Sequence, residues 1–230
     1  MEDKKTCEHI NLPLIGDPAP AFTAETTQGE INFPADYQGK WVILFSHPAD
    51  FTPVCSTEFM TFASMAEELK GLNCELIGLS IDSIHSHIAW LRDLEGKCWN
   101  NIKDLKIDFP LIADIDKEVS TKYGMLHAGS KTSTVRAVFI IDPEGIVRTI
   151  LYYPASTGRN MDEIKRVLIA LQAADRDHIA TPANWEPGKD VILPPPATTP
   201  AARERMEMKG KEDVNLLDWY FTFQKDKKQK

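Results

Sequence analysis

SHPADFTPVCSTEF, residues 46–59, follows directly on the apolar run WVILF (41–45) and leads into helix-like sequence. WVILF reads as a buried strand. The helix after it carries Phe59, Phe62, Ala66 and Leu69 close to one face of a 3.6-residue period. Between strand and helix stand two prolines, a threonine and a cysteine. Thr52 fits the N-cap and Pro53 the first helical position: the threonine oxygen accepts an orphan backbone N–H, and proline lacks the N–H that would go unsatisfied there. Cys55 then falls in the first turn, where the helix dipole and free N–H groups favour a negative charge. An isolated thiol with a pKa of about 8.5 is only slightly ionised at neutral pH, so this placement favours the nucleophilic form. Position alone leaves two readings open for Cys55, a small buried hydrophobe or a nucleophile.

Outward from this stretch, short apolar runs alternate with helical periodicity, the pattern of an α/β domain. CELIGLSID (74–82) is a second strand, and Ser83 caps a helix carrying Ile84, Ile88 and Leu91. KEVSTKYGML gives a short helix ending near Gly124. TVRAVFIID and IVRTILYYP flank the turn-forming Pro143-Glu144-Gly145 and form a hairpin. Asn160, with Glu163 three residues on, opens a helix whose apolar face is Met161, Ile164, Val167, Leu168 and Leu171.

Composition shifts after about residue 175, so the chain divides into a domain over 1–175 and a C-terminal arm over 176–230. Six of the 15 prolines lie between 182 and 200, and Pro194-Pro195-Pro196 favours extended backbone. LLDWYFTF (216–223) would leave an apolar patch in water, so the arm is expected to lie against something, a partner subunit included.

The chain has 230 residues, 43% hydrophobic and 26% charged, which suits a globular protein. A formal charge of −8 argues against a general nucleic-acid or anionic-membrane binder. The basic run KDKKQK (225–230) is a terminal tail. No stretch approaches the roughly 18 apolar residues of a membrane span, and MEDKKTCEHINLP lacks the apolar core of a secretion signal. Cysteines at 7, 55, 74 and 98 include no C-x-x-C pair, so neither a disulfide scaffold nor a zinc knuckle is suggested and a cytoplasmic setting is expected. His85 and His87, two apart on a helix, do not share a face and offer no metal site.

From Pro48 to Cys55 the chain matches the P-x-x-x-T-x-x-C signature of peroxiredoxins, and SHPADFTPVCSTEF resembles the one-cysteine subfamily typified by peroxiredoxin-6. The similarity continues through LIGLSIDSIHSHIAWL, FPLIADIDKEVSTKYGML, TVRAVFIIDPEG, LYYPASTGRNMDEIKRVLIALQ, TPANW and the arm. The resemblance implies a thioredoxin-like α/β fold, a central mixed sheet flanked by helices, and a thiol peroxidase that needs no cofactor and no metal. It makes Cys55 the peroxidatic cysteine, attacking a peroxide oxygen to leave a sulfenic acid. Thr52 and Arg136 would supply donors to the reacting oxygens, and Pro48 would shield the sulfur. Glu58 and Arg159 would hold Arg136. Without the resemblance, Arg136 reads equally as a surface arginine and Glu58 as a solvated acid. His47 stands at the subfamily's active-site histidine, either as a neutral packed ring or in tuning and recycling the sulfur.

Two-cysteine relatives carry a resolving cysteine in a V-C-P-A-N-W segment; ATPANW has Thr181 there. Neither Cys7, Cys74 nor Cys98 matches a resolving position, so an external reductant is implied: glutathione, thioredoxin or another small reductant. The resemblance permits a homodimer or a ring of five dimers. AETTQGEINF contains no G-x-S-x-G pattern, so lipase activity does not carry over. A thiol–disulfide oxidoreductase would need a second thiol, and Thr52 stands where C-x-x-C would put one. A peroxide sensor or oligomeric chaperone using the same cysteine is the remaining alternative.

Overall fold

The computed structural model describes residues 12–129 and 132–226, which fall into two compact units, Met1–Met161 and Asp162–Lys230. Cys7 lies outside the described residues.

In the first unit the strand sequence is β1 (Phe22–Thr26), β2 (Gly29–Phe33), β3 (Trp41–Ser46), β4 (Cys74–Ser80), β5 (Leu111–Ala113), β6 (Arg136–Ile141) and β7 (Val147–Tyr153). They form one sheet in the order β2-β1-β5-β4-β3-β6-β7. The central strands β3, β4 and β5 are parallel, and the others join antiparallel, so the sheet is mixed as expected. Parallel neighbours need crossovers, supplied by helices α1 (Pro53–Gly71) and α2 (Ile84–Glu95). All six residues of β3 and of β6 are buried, which is why WVILF and AVFII read as continuous apolar runs rather than alternating ones.

Helix α1 buries Phe59, Phe62, Ala66 and Leu69 as its period requires, and Cys55, Glu58 and Met60 with them. Its seat on the sheet depends on Gly78 in β4: a Cβ there would lie 3.0 Å from Leu111 Cδ1 and 3.3 Å from the ring tips of Phe45 and Phe59. Helix α2 begins as expected, with Ser83 Oγ accepting from the Ser86 N–H at 3.2 Å. Its buried face departs from expectation. Ile88 is exposed, and His87, Trp90, Leu91 and Leu94 point inward, so the buried face includes a histidine and a tryptophan beside the expected Leu91. Helix α3 (Glu118–Lys122) ends ahead of Gly124, whose φ is +64°.

The β1–β2 hairpin went unread in the sequence; its strands, FTAET and GEINF, are short and polar on one face. The β6–β7 hairpin turns at Asp142–Gly145, with the Gly145 N–H donating to the Asp142 carbonyl at 2.9 Å.

The second unit holds helix α4 (Met161–Asp177, entered from the first unit's last residue), β8 (Val191–Ile192), helix α5 (Thr199–Met206), β9 (Val214–Asp218) and β10 (Phe221–Gln224). Met161, Ile164 and Leu168 are buried, while Val167 and Leu171 are half-buried. The arm is less extended than its prolines suggest. Thr198 Oγ1 caps α5 by accepting from Ala201 N–H at 3.4 Å, and Pro200 falls in the first turn where proline is tolerated. LLDWYFTF forms a β9–β10 turn, and with β8 a three-stranded sheet in the order β8-β10-β9. Leu217, Trp219, Tyr220 and Phe221 are exposed on this chain.

Candidate active site

The site gathers where β3 ends, α1 begins and β6 begins. Cys55 sits in the first turn of α1, buried, with backbone N–H groups of that turn around it. Arg136, the first residue of β6, is 2% exposed rather than snorkelling. Its Nη1 donates to Cys55 Sγ at 3.3 Å and to Glu58 Oε2 at 2.8 Å. Its Nε and Nη2 donate to the Ala155 carbonyl at 3.1 and 2.6 Å. The guanidinium is thus held on two sides, with its Nη1 edge turned to sulfur.

Glu58 is the hinge of this cluster. It lies one turn beyond Cys55 on the same helix, 2% exposed, and accepts four hydrogen bonds: one from Arg136, and three from Arg159 through its backbone N–H (2.8 Å), Nε (3.0 Å) and Nη2 (2.7 Å). Arg159 Nη1 reaches across the sheet to the carbonyls of Ser46 and Ala137, 3.0 Å each. The Arg159 guanidinium also lies 5.3 Å from the Phe45 ring centre and 5.7 Å from that of Phe62. Burial pushes the Arg159 pKa down, against the pull of Glu58. The three charged residues named from the sequence therefore meet.

Thr52 is the N-cap by backbone, its carbonyl accepting from Ser56 N–H at 3.0 Å, but it does not cap with its side chain. Its hydroxyl instead donates to the Ala49 carbonyl at 2.9 Å. The turn is tight, Phe51 having φ +54°, and the hydroxyl's shortest acceptor lies behind it rather than in the helix. With its proton spent on Ala49, Thr52 Oγ1 keeps lone pairs to offer. Pro48 is half-buried on the same turn.

His47 is fully buried and joins a separate network that sequence reasoning missed. Its Nε2 lies 2.8 Å from Asp50 Oδ1, and Asp50 Oδ2 lies 2.8 Å from His87 Nδ1. The His47 ring stacks on Trp90 and meets the edge of Phe59. Ser46 and Thr134 were also missed. Ser46 Oγ donates to the Val135 carbonyl at 2.6 Å and accepts from Ala137 N–H at 3.1 Å, while Thr134 Oγ1 donates to the His47 carbonyl at 2.5 Å. These bonds pin both neighbours of Arg136 to the end of β3. Small hydroxyl residues at strand ends carry no sequence signal that separates them from turns.

Among the described residues, His47, Asp50 and Asp82 are close enough to hold a metal, their ligand atoms lying within 4.8 Å of one another. Of their possible ligand atoms, His47 Nε2 and both Asp50 oxygens already share hydrogen bonds, and Asp82 Oδ2 accepts from Asp50 N–H at 3.0 Å and Ser80 Oγ at 2.8 Å. We assign no metal there. Cys74 is buried in β4, and burial pushes its thiol pKa up, away from the reactive form. Cys98 is exposed.

Residues 15–150 match the AhpC/TSA family, and residues 170–209 match the C-terminal domain of 1-Cys peroxiredoxin. The chain belongs to the peroxiredoxin family. A peroxiredoxin of Methanosarcina mazei is 62% identical over 217 residues, covering 94% of this chain and 99% of that protein. One from Aquifex aeolicus is 50% identical, covering 93% and 97%. Among solved structures, the yeast mitochondrial 1-Cys peroxiredoxin superposes with a TM-score of 0.81 at 39% identity, covering 94% of this chain and all of the other. A cysteine-to-serine mutant of peroxiredoxin 6 from Arenicola marina gives 0.82 at 32%, covering 94% and 99%. The mixed sheet with flanking helices is therefore the thioredoxin-like fold of peroxiredoxins, and this peroxiredoxin is a thiol-dependent peroxidase. No described helix is long and apolar enough to cross a membrane.

Proposed function

We propose that this peroxiredoxin reduces hydrogen peroxide and organic hydroperoxides through Cys55 alone, as an antioxidant enzyme. The observation that carries the reading is the 3.3 Å contact from Arg136 Nη1 to Cys55 Sγ inside a buried cluster of two guanidinium groups and one carboxylate. Two positive charges against one negative leave a vacancy for an anion, and an ionised Cys55 sulfur fills it.

The thiolate attacks one peroxide oxygen; the S–O bond forms, the O–O bond breaks, and the departing oxygen takes a proton as water or alcohol. Arg136 supplies N–H donors, and Thr52, with its own proton spent on Ala49, accepts from the peroxide O–H. Pro48 closes the pocket over the sulfur. Glu58 and Arg159 hold Arg136 in place. An external thiol then condenses with the sulfenic acid, releasing water, and a second thiol breaks the mixed disulfide and regenerates Cys55. The structure of the yeast relative concerns thiol resolution via glutathione and thioredoxin systems, which makes those two the reductants to try first.

The division into a peroxidase domain (1–175) and an arm (176–230) that packs on a partner subunit belongs to the same reading. The exposed Leu217, Trp219, Tyr220 and Phe221 support it, and a homodimer or a ring of five dimers accommodates it. Among the described residues, the free thiols of Cys55, Cys74 and Cys98 suit the reducing cytoplasm.

Peroxide consumption driven by dithiothreitol tests the assignment. Cys55→Ser abolishes turnover, while Cys74→Ser and Cys98→Ser retain most of it. Loss of turnover in either of the latter two would overturn the one-cysteine cycle.

A further inference from the structure

Three buried hydrogen bonds link four groups: His47 Nε2 with Asp50 Oδ1 (2.8 Å), Asp50 Oδ2 with His87 Nδ1 (2.8 Å), and His87 Nε2 with the Ile112 carbonyl (3.1 Å). Both imidazoles are fully buried and Asp50 is 8% exposed. Each bond needs a proton. A carbonyl oxygen has none, so His87 Nε2 carries one. A protonated Asp50 Oδ2 could itself supply the proton shared with His87 Nδ1; an ionised carboxylate has none, and His47 Nε2 and His87 Nδ1 then each carry one as well. His87 then bears protons on both nitrogens. His47 Nδ1 has no hydrogen-bond partner among the described residues; a second proton there would bury an unpaired N–H, with the His87 ring centre 6.1 Å away.

We propose that Asp50 and His87 form a buried ion pair, carboxylate against imidazolium, that fixes His47 as a neutral ring with its proton on Nε2 and a bare lone pair on Nδ1. The pair joins the turn before α1 to helix α2, and the bond from His87 to Ile112 carries the link on to β5, two strands from β3 in the sheet. Burial lowers the His47 pKa, and the two imidazole hydrogen bonds outweigh burial to hold the Asp50 carboxyl below its usual range, both in the direction this arrangement requires. Asp82, whose Oδ2 accepts the Asp50 backbone N–H, is the other charged group facing the pair.

The inference deepens the proposed function and rests on it in one respect, that His47 belongs to the Cys55 site. In either of the roles left open for His47, the ring contributes a hydrogen-bond acceptor and no positive charge. The cation beside the sulfur is then Arg136. Asp50 and His87 are positioning residues, acting through His47.

Neutron diffraction from a deuterium-exchanged crystal of the whole chain, at about pH 8 and so above the ordinary imidazole pKa of about 6.5, reads the protons directly. The expected result is deuterium on both nitrogens of His87, on Nε2 alone of His47, and none on Asp50. A deuteron on Asp50 Oδ2, or a single one on His87, overturns the proposal. Asp50→Asn keeps both bonds, its amide donating to His87 Nδ1, so His87 is expected to lose one deuteron there; retention of both would likewise overturn it. Kinetically, His87→Phe strips Asp50 of a donor and is expected to slow sulfenate formation about tenfold, with His87→Asn restoring most of the rate. Equal rates in the two variants would contradict the positioning role. The diffraction result does not depend on turnover, so failure of Cys55 as the peroxidatic residue and failure of the ion pair are told apart.

Discussion

Arg136 Nη1 stands 3.3 Å from Cys55 Sγ, and the rest of its guanidinium is tied to Glu58 and to the Ala155 carbonyl. The arginine cannot swing away from the sulfur without breaking buried hydrogen bonds, so its donors are set before peroxide arrives. Lysine at this position keeps the charge and loses the planar fork. Arg136→Lys is expected to lower the second-order rate with hydrogen peroxide about a hundredfold, measured by stopped flow. A rate within twofold of wild type would show that charge alone suffices.

Glu58 carries the structural cost of that arrangement. Glu58→Gln leaves two buried guanidinium groups facing a neutral amide, and a loss of about 3 kcal/mol in urea unfolding is expected. The exposed Lys40–Glu75 pair is the control: Glu75→Gln should cost about 1 kcal/mol or less, because solvent screens it.

How much of this was written in the sequence differs by element. The buried strands WVILFS and RAVFII announced themselves because both faces are covered and, apart from Arg136, every residue is apolar or small. The helix after Thr52 was equally plain, and it delivered Cys55 to its first turn. Glu58 and Arg159 entered only through the family resemblance, since nothing in TEF or TGRN says that one carboxylate will face an arginine from β6 and another from the segment between β7 and α4. His87 could not be read at all: its partner, Asp50, is 37 residues away in sequence, and a histidine on an amphipathic helix looks like a polar-face residue. The arm helix Thr199–Met206 was obscured by prolines that turn out to precede it or to sit in its first turn.

Gly78 marks how closely α1 lies on β4. Gly78→Ala places a methyl 3.0 Å from Leu111 Cδ1 and 3.3 Å from Phe45 and Phe59, tighter than packed side chains tolerate. A destabilisation of about 1–3 kcal/mol is expected in urea unfolding. Because Phe59 is one turn from Cys55, the peroxide rate should fall too; an unchanged stability would mean that the sheet and helix separate freely.

Acid should loosen the fold in two stages. Burial lowers the His47 pKa, so the unfolded chain takes up its proton first, and stability falls as pH drops below about 6.5 until the folded value is passed. The depressed Asp50 carboxyl adds stability that is present above about pH 3.9 and lost as pH falls through its lower folded value. Urea midpoints across the acid range should show both stages in wild type and only the first in Asp50→Asn. A variant curve parallel to wild type at the acid end would contradict this.

The most direct test of Cys55 as the peroxidatic residue is its reaction with hydrogen peroxide in the Cys7→Ser, Cys74→Ser, Cys98→Ser background. The expected result is one sulfenic acid per chain, trapped on Cys55 and located by mass spectrometry, forming about a thousandfold or more faster than on free cysteine. Oxidation at the pace of a free thiol, or full activity in a chain with Ser at 55, would contradict it.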